Sequence, residues 1–401
     1  IYMWYFDRQD AIQCAGINFV KDLPRFLVLL LAMQRMSPEH WGLNTEFKHV
    51  PGESCEIRVR DADGDVDLKF DLTPGQCTTH YGLRGRATTV FPVESKELSD
   101  RLAKREREGH RSENPTEELV AKLYWPEESR ESEAEILKKV QKIAESEPDV
   151  QGHVPEVVWF HKFEGTSTAK IRTALGMDDA KRGSRALYII VFKKLLPITT
   201  LSGDEFLAAW WQVVRCHYVL WQNGVRHRDV SPSNLMVYKT LDGRFIGVLN
   251  DFDLSSTRVT STNNERTGTV PFMALNLLTP EAFEGHVEHL YRHDAESLIW
   301  VLVWVCLRYD EGEILSEGRP LDDWLKADAR ACREKKSDFL VRIQNRDRTI
   351  KPSLSHQSNW QMALSCLHSF SLSLFQLVIL PNDESVFRAW LEANLPSSHN
   401  K

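Results

Sequence analysis

The chain has 401 residues, 42% of them apolar and 10% aromatic, with twelve tryptophans, so it can bury large cores and is not a disordered polypeptide. That length suits two lobes of one large enzyme, or two to three ordinary domains. A net charge of −7 argues against a nucleic-acid or membrane-surface protein, whose footprint would be basic.

In chain order, a strand-like start at Trp4 leads to an apolar helix predicted over Asp22–Met36. Its core, Phe26 to Met33, is far shorter than the roughly 20 residues a membrane span needs, and reads as a buried helix. The run Cys55–Phe70 alternates apolar and polar residues around Asp63-Gly64, a hairpin signal. Tyr81–Val93 carries glycines. Residues 94–118 are dense in charges of alternating sign, which predicts a solvated loop or an exposed helix. Ile136, Leu137, Val140 and Ala144 share the spacing of one helix face within Glu131–Glu145. Leu187–Phe192 is short and β-branched, as a buried strand would be. From about Pro197 the pattern becomes helical: Asp204–Gln222 is amphipathic with Ser202 or Asp204 as its cap, and Ser297–Leu307 is apolar on nearly all faces. Further helices are expected over 360–396. Trp210-Trp211 and Trp300/Trp304 read as core packing. Seven cysteines without a CxxC fit buried thiols in a reducing compartment, hence an intracellular protein, cytoplasmic or nuclear. The chain begins at Ile1 rather than Met, which fits a fragment, so an upstream targeting signal would lie outside it.

The segment with the sharpest chemistry is His227-Arg-Asp-Val-Ser-Pro-Ser-Asn234. Phosphoryl transfer needs little covalent chemistry, so an enzyme mostly positions groups and balances charge. An Asp in a short loop can take the proton of an attacking hydroxyl, and an Asn five residues later can reach a metal that bridges phosphates. Asp242-Gly243 is a two-residue turn signal between apolar runs. With that turn, Asn234 falls opposite Asp251, and an amide and a carboxylate meet at the open end of a hairpin, suited to magnesium. The bland alternative is a pair of polar strand ends.

These residues resemble the protein kinase superfamily. Asp251-Phe-Asp253 stands where that family has Asp-Phe-Gly. Gly268-Thr-Val-Pro-Phe-Met-Ala-Leu-Asn276 resembles the end of the activation segment, and His293-Asp294-Ala-Glu-Ser-Leu298 the start of the central helix, whose Asp braces the catalytic loop. The wording of these segments is most similar to the fungal-type (FunK) protein kinases, and Trp-Tyr-Phe-Asp-Arg-Gln near the N-terminus resembles that family's extension.

The resemblance implies an α+β, bilobal protein kinase-like fold. An N-terminal extension (1–51) would precede a β-rich N-lobe (52–196) and a mainly helical C-lobe (197–401). It implies transfer of the γ-phosphate of ATP with Mg2+ to a protein hydroxyl, of serine or threonine. Asp229 would be the base with Arg228 beside it, and Asn234 and Asp251 the metal ligands. Lys122, in Val120-Ala-Lys122, would grip phosphates, held by Glu133, with Glu131 and Glu135 as competitors. Gly85 and Val90 would belong to the phosphate-covering loop, in which Leu83 and Thr88 replace two glycines. The protein substrate is unassigned, and neither nucleic acid nor membrane is expected as a partner.

Three departures stand out. Ser231 replaces the phosphate-steadying Lys; Asp253 replaces Gly and would hold a second ion or, the preferred reading, cap the next turn; Asn276 removes the carboxylate of the family's buried ion pair with a distal Arg. Hydroxyls over 254–267 could accept a phosphate that pairs with Arg228, or form a polar loop. Two other functions remain: a pseudokinase that binds ATP or serves as a scaffold, and a small-molecule phosphotransferase. His227-Arg228-Asp229 and Gly268-Thr269 count against the latter.

Overall fold

A computed structural model describes residues 1–50, 54–61, 64–72, 78–79, 82–108, 112–177, 181–257 and 268–375. The chain divides into two compact units: Ile1–Ser112 with Thr116–Ala134 and Glu156–Lys194, and Glu113–Pro115 with Glu135–Pro155 and Leu195–Lys401. The first is β-rich and the second mainly helical, the two parts of a bilobal kinase-like fold.

The first unit opens with a hairpin of β1 (Trp4–Phe6) and β2 (Ala11–Gln13), followed by α1 (Leu23–Gln34). Its sheet contains β3 (Phe47–Val50), β4 (Ser54–Asp61), β5 (Gly64–Phe70), β6 (Thr78–Thr79), β7 (Thr89–Glu94), β8 (Leu119–Tyr124), β9 (Val157–Lys162) and β10 (Tyr188–Lys193). The main path runs β3-β4-β5-β7-β8-β10-β9, with β6 beside β7, and its described pairings are antiparallel. Alternation sets the faces: Cys55, Ile57 and Val59 of β4 and Val66, Leu68 and Phe70 of β5 are buried, while Glu56, Arg58 and Arg60 are exposed. Leu98 of the charged helix α2 (Lys96–Arg107) joins that core, and most of the helix is exposed, as the alternating charges imply. The cap of α2 is Ser95, whose hydroxyl accepts from the Leu98 N–H. The short α4 (Thr168–Ala174) lies between β9 and β10 in sequence.

α1 corrects one expectation. None of its residues is buried, and Val28 is 66% exposed. An apolar run shows a tendency to be covered, but the cover must come from tertiary neighbours that periodicity does not specify. The Asp63-Gly64 turn lies partly outside the described residues; its strands pair Asp61 with Gly64.

α3 (Glu133–Ala144) buries Ile136, Leu137, Val140 and Ala144, as their spacing predicts. The long C-terminal part of the second unit starts with β11 (Leu196–Pro197) and α5 (Gly203–Gln222), with Ser202 at the N-cap position. β12 (Leu235–Lys239) and β13 (Phe245–Leu249) complete a three-stranded sheet with β11. α5 packs so closely on this hairpin that a Cβ at Gly247 would lie 2.2 Å from the Ala209 carbonyl oxygen, so only glycine fits. The short α6 (Pro280–Phe283) precedes α7 (Tyr291–Arg308), in which every residue but Arg292 is buried. Next come β14 (Tyr309–Asp310), β15 (Glu313–Ile314), α8 (Ala329–Gln344) and α9 (Gln357–Phe375). The rest of the helical stretch expected over 360–396 lies outside the described residues. Trp210, Trp211, Trp300 and Trp304 are all core residues, and no described helix is long and apolar enough to cross a membrane. Of the six described cysteines, all free, only Cys14 is exposed.

Candidate active site

In the first unit, Lys122 sits in the centre of β8, opposite Val90 of β7 on one side and Ile190 of β10 on the other. Its ammonium is 2.6 Å from Glu133 Oε2 and 5.0 Å from the centre of the Tyr124 ring. The two side chains are 7% and 1% exposed, so this is a desolvated pair rather than a surface contact. Of the three carboxylates considered for Lys122, Glu133 stands at ion-pair distance from it.

The Gly82–Gly85 turn precedes Val90. Gly85 has φ +89, a conformation that favours glycine, although a Cβ there would meet nothing within 4 Å. Its N–H donates to the Arg8 carbonyl at 2.9 Å, and the Arg8 guanidinium donates to the Gly82 carbonyl. Arg84 Nε donates to the Gln9 carbonyl at 3.3 Å. The turn of the N-terminal hairpin thus grips this segment, a role no residue of the extension advertises in the sequence.

In the second unit, the catalytic-type loop is built on buried polar groups. Asp294 of α7, 2% exposed, receives His217 Nε2 at 3.0 Å and His289 Nε2 at 2.7 Å, and accepts from the Arg228 N–H at 3.2 Å. Burial alone would raise the Asp294 carboxyl, but the two histidines outweigh it and hold it well below the usual carboxylate range. Arg228 has φ +72, a costly conformation for a side-chain-bearing residue, which this hydrogen bond helps to hold. His227 is fully enclosed: burial pushes its imidazole down to about 4, so it is neutral near pH 7. Nε2–H donates to the Asn250 carbonyl at 2.8 Å, and Nδ1 accepts from the Asp229 N–H at 3.4 Å. Phe252 packs edge-on against His227, ring centres 5.0 Å apart.

Asp229 and Asn234 meet directly. Asn234 Nδ2 donates to the Asp229 carbonyl at 2.8 Å and lies 3.4 Å from its Oδ2. Thr269, quoted in the sequence without a role, donates to Asp229 Oδ1 through its N–H at 3.0 Å and its hydroxyl at 3.1 Å. Ser231, 1% exposed, shares a hydrogen bond of 2.8 Å with Ser233 Oγ.

The hairpin register differs from the expected one. Gly243, at φ +86, takes the left-handed place of a three-residue loop, and Thr240 pairs with Arg244. Asn234 therefore faces Asn250, whose N–H donates to its carbonyl at 2.8 Å. One extra loop residue moves every pair by one position. Asp251 stands one residue past the ladder at φ +62 and begins the turn Phe252–Leu254. Asp253 lies inside that turn, buried, rather than capping it. Of the hydroxyl-rich segment, 258–267 falls outside the described residues. Ser255 Oγ donates to the His227 carbonyl at 3.3 Å, and Thr257 accepts from Lys139 at 2.9 Å.

The donor chemistry suits magnesium. Asn234 is anchored through its amide nitrogen and presents an amide oxygen that also accepts from Ser233 Oγ at 3.4 Å, and Asp251 carries carboxylate oxygens; both are hard donors. Among the described residues no group of three or more His, Cys, Asp or Glu could hold a metal alone. A cation here would need phosphate oxygens and water to complete its shell, as magnesium commonly does.

None of the curated proteins matches the chain. Among solved structures it is similar to vaccinia related kinase 3, with 12% identity over 83% of this chain and 94% of that one, at a TM-score of 0.43. The model of the fungal protein kinases matches residues 1–306, from the N-terminal hairpin through the Asp229 loop into α7. With more than half its length matched, the chain belongs to the fungal protein kinase family.

Proposed function

We propose that this chain is an active protein kinase, which transfers the γ-phosphate of ATP to a serine or threonine hydroxyl of a protein. The observation that carries the reading is the orientation of Asp229: Thr269 holds one carboxylate oxygen while Asn234 ties the backbone of the same residue. A carboxylate fixed in this way can accept a hydroxyl proton as that oxygen attacks phosphorus. Arg228 sets the backbone on which Asp229 is presented. Asn234 and Asp251 would hold magnesium, which supplies charge neutralisation to the phosphate oxygens when bound. Lys122, kept in place by Glu133, would bind the α- and β-phosphates, with Val90 beside it and the Gly85 turn covering them. The preference for serine or threonine rests on the family resemblance.

The test is transfer of labelled γ-phosphate from Mg·ATP to the protein itself and to generic substrates, with Asp229→Asn as the control. Phosphoamino-acid analysis of the product then separates Ser and Thr from Tyr. Transfer that persists in Asp229→Asn would sink the assigned base. One observation favours the pseudokinase alternative: the Gly85 N–H, a donor expected for phosphate, is engaged by Arg8. Mg-dependent ATP binding without any transfer by wild type would select that alternative.

A further inference from the structure

Two buried, oppositely charged side chains in the second unit have no part in the transfer just described. Glu296 of α7 is 5% exposed and Lys336 of α8 is 0% exposed. Burial of such groups is costly unless their polar atoms are bonded, so the groups they hold are informative. Glu296 Oε1 accepts from the Leu275 N–H at 2.8 Å and from Trp300 Nε1 at 2.9 Å. Lys336 Nζ donates to the Met273 carbonyl at 2.6 Å and lies 4.8 Å from the centre of the Trp300 ring. Both charges thus end on the backbone of one short stretch, Met273–Leu275.

That stretch leads back to the candidate base. The N–H groups of Phe272 and Met273 donate to the Thr269 carbonyl at 2.8 and 3.2 Å, and Thr269 holds Asp229 Oδ1. Asn276 is exposed and hands no charge to the interior. Burial raises the Glu296 carboxyl to about 7 and lowers the Lys336 ammonium to about 8, and the charge of each opposes the shift of the other.

We propose that Glu296 and Lys336 are positioning residues that clamp Met273–Leu275, and so keep Thr269 against Asp229, in the role that an ion pair from Asn276 does not fill. The inference rests on the kinase reading for its turnover readout, while its structural readout is independent of turnover.

The experiment compares wild type, Lys336→Met, Glu296→Gln, Thr269→Val and the Lys336→Met/Thr269→Val double variant. Steady-state transfer and amide hydrogen exchange over 268–278 are measured on each. Lys336→Met keeps the volume but loses a hydrogen bond from a charged group, so kcat should fall about tenfold or more. KM for ATP should stay within about twofold, because no ATP contact is touched. The double variant should lose no more than its worse single variant, since both act along one path. Exchange at Leu275 should rise about threefold or more in Glu296→Gln, a near-isosteric change that weakens a charge-assisted bond. Unchanged kcat in folded Lys336→Met, or losses that multiply in the double variant, would overturn the proposal. Should wild type transfer no phosphate, the kinase reading fails, and exchange alone decides the clamp: unchanged protection of Leu275 in Glu296→Gln ends it. That same variant decides the matter if Lys336→Met does not fold.

Discussion

The Gly82–Gly85 turn and the Arg228–Asn234 loop carry comparable expected tasks near phosphate, yet they are held in opposite ways. The turn is gripped from outside by an N-terminal hairpin through contacts that are largely exposed; the Arg84–Asp10 pair, for example, is 3.7 Å apart with side chains 69% and 54% exposed. The loop is held from within by Asp294, His217, His227 and His289, all buried. Exposed pairs contribute little and exchange readily with water, whereas a buried polar group left without its partner costs several kcal/mol. The Gly82–Gly85 turn can therefore shift at small cost, while the Arg228–Asn234 loop is kept in one place.

Four substitutions or conditions test this contrast, in descending order of effect. Asp229→Asn should lower phosphate transfer by about 100-fold to 10,000-fold, the usual contribution of a positioned base. Its melting temperature should change little, because an amide oxygen can still accept from Thr269; a large drop would mean that Asp229 is chiefly structural. Lys122→Met leaves Glu133 buried without its cation. It should cost about 3 kcal/mol in urea unfolding of the first unit and weaken ATP binding, and unaltered stability would show that the pair is not truly desolvated.

The pH dependence of stability probes the inner support. His227 titrates near 4 when folded, against an ordinary value near 6.5. The unfolded chain therefore binds more protons between those values, and the His227 contribution is complete above about pH 6.5 and lost as pH falls towards 4. Between pH 7 and 5 this amounts to about 2 kcal/mol. His227→Gln should remove that slope from chemical denaturation curves, and an unchanged slope would place the titration elsewhere. The smallest effect belongs to the outer support. Gly85→Ala introduces a Cβ at φ +89 with room around it, so only the backbone penalty of about 1 kcal/mol applies. KM for ATP should rise less than about tenfold with kcat retained; a collapse of kcat would show the turn to be as rigid as the loop.

Much of the candidate site's arrangement was legible because linear spacing carries it. His227, Asp229 and Asn234 lie within one loop, and Lys122 and Glu133 are joined by a strand followed by a helix whose apolar face is readable at Ile136, Leu137 and Val140. The hairpin register was less secure. Asp242-Gly243 marks a turn, but a three-residue loop with Gly243 left-handed uses the same signal and moves Asn234 from Asp251 to Asn250. Thr269 was legible as a residue and illegible as a partner of Asp229, from which it is forty residues away.

By itself the sequence determined the family, the alternation of the sheet, the buried helix α7 and the loop that carries Asp229, since each is a matter of local period or contiguous spacing. Tertiary structure alone decided that α1 is exposed, that Arg8 occupies the Gly85 N–H, that two histidines flank Asp294, and that Glu296 and Lys336 converge on Met273–Leu275. Those features join residues distant in sequence, and a buried polar atom takes whichever partner the packing brings within hydrogen-bond reach, a choice that no periodicity along the chain records.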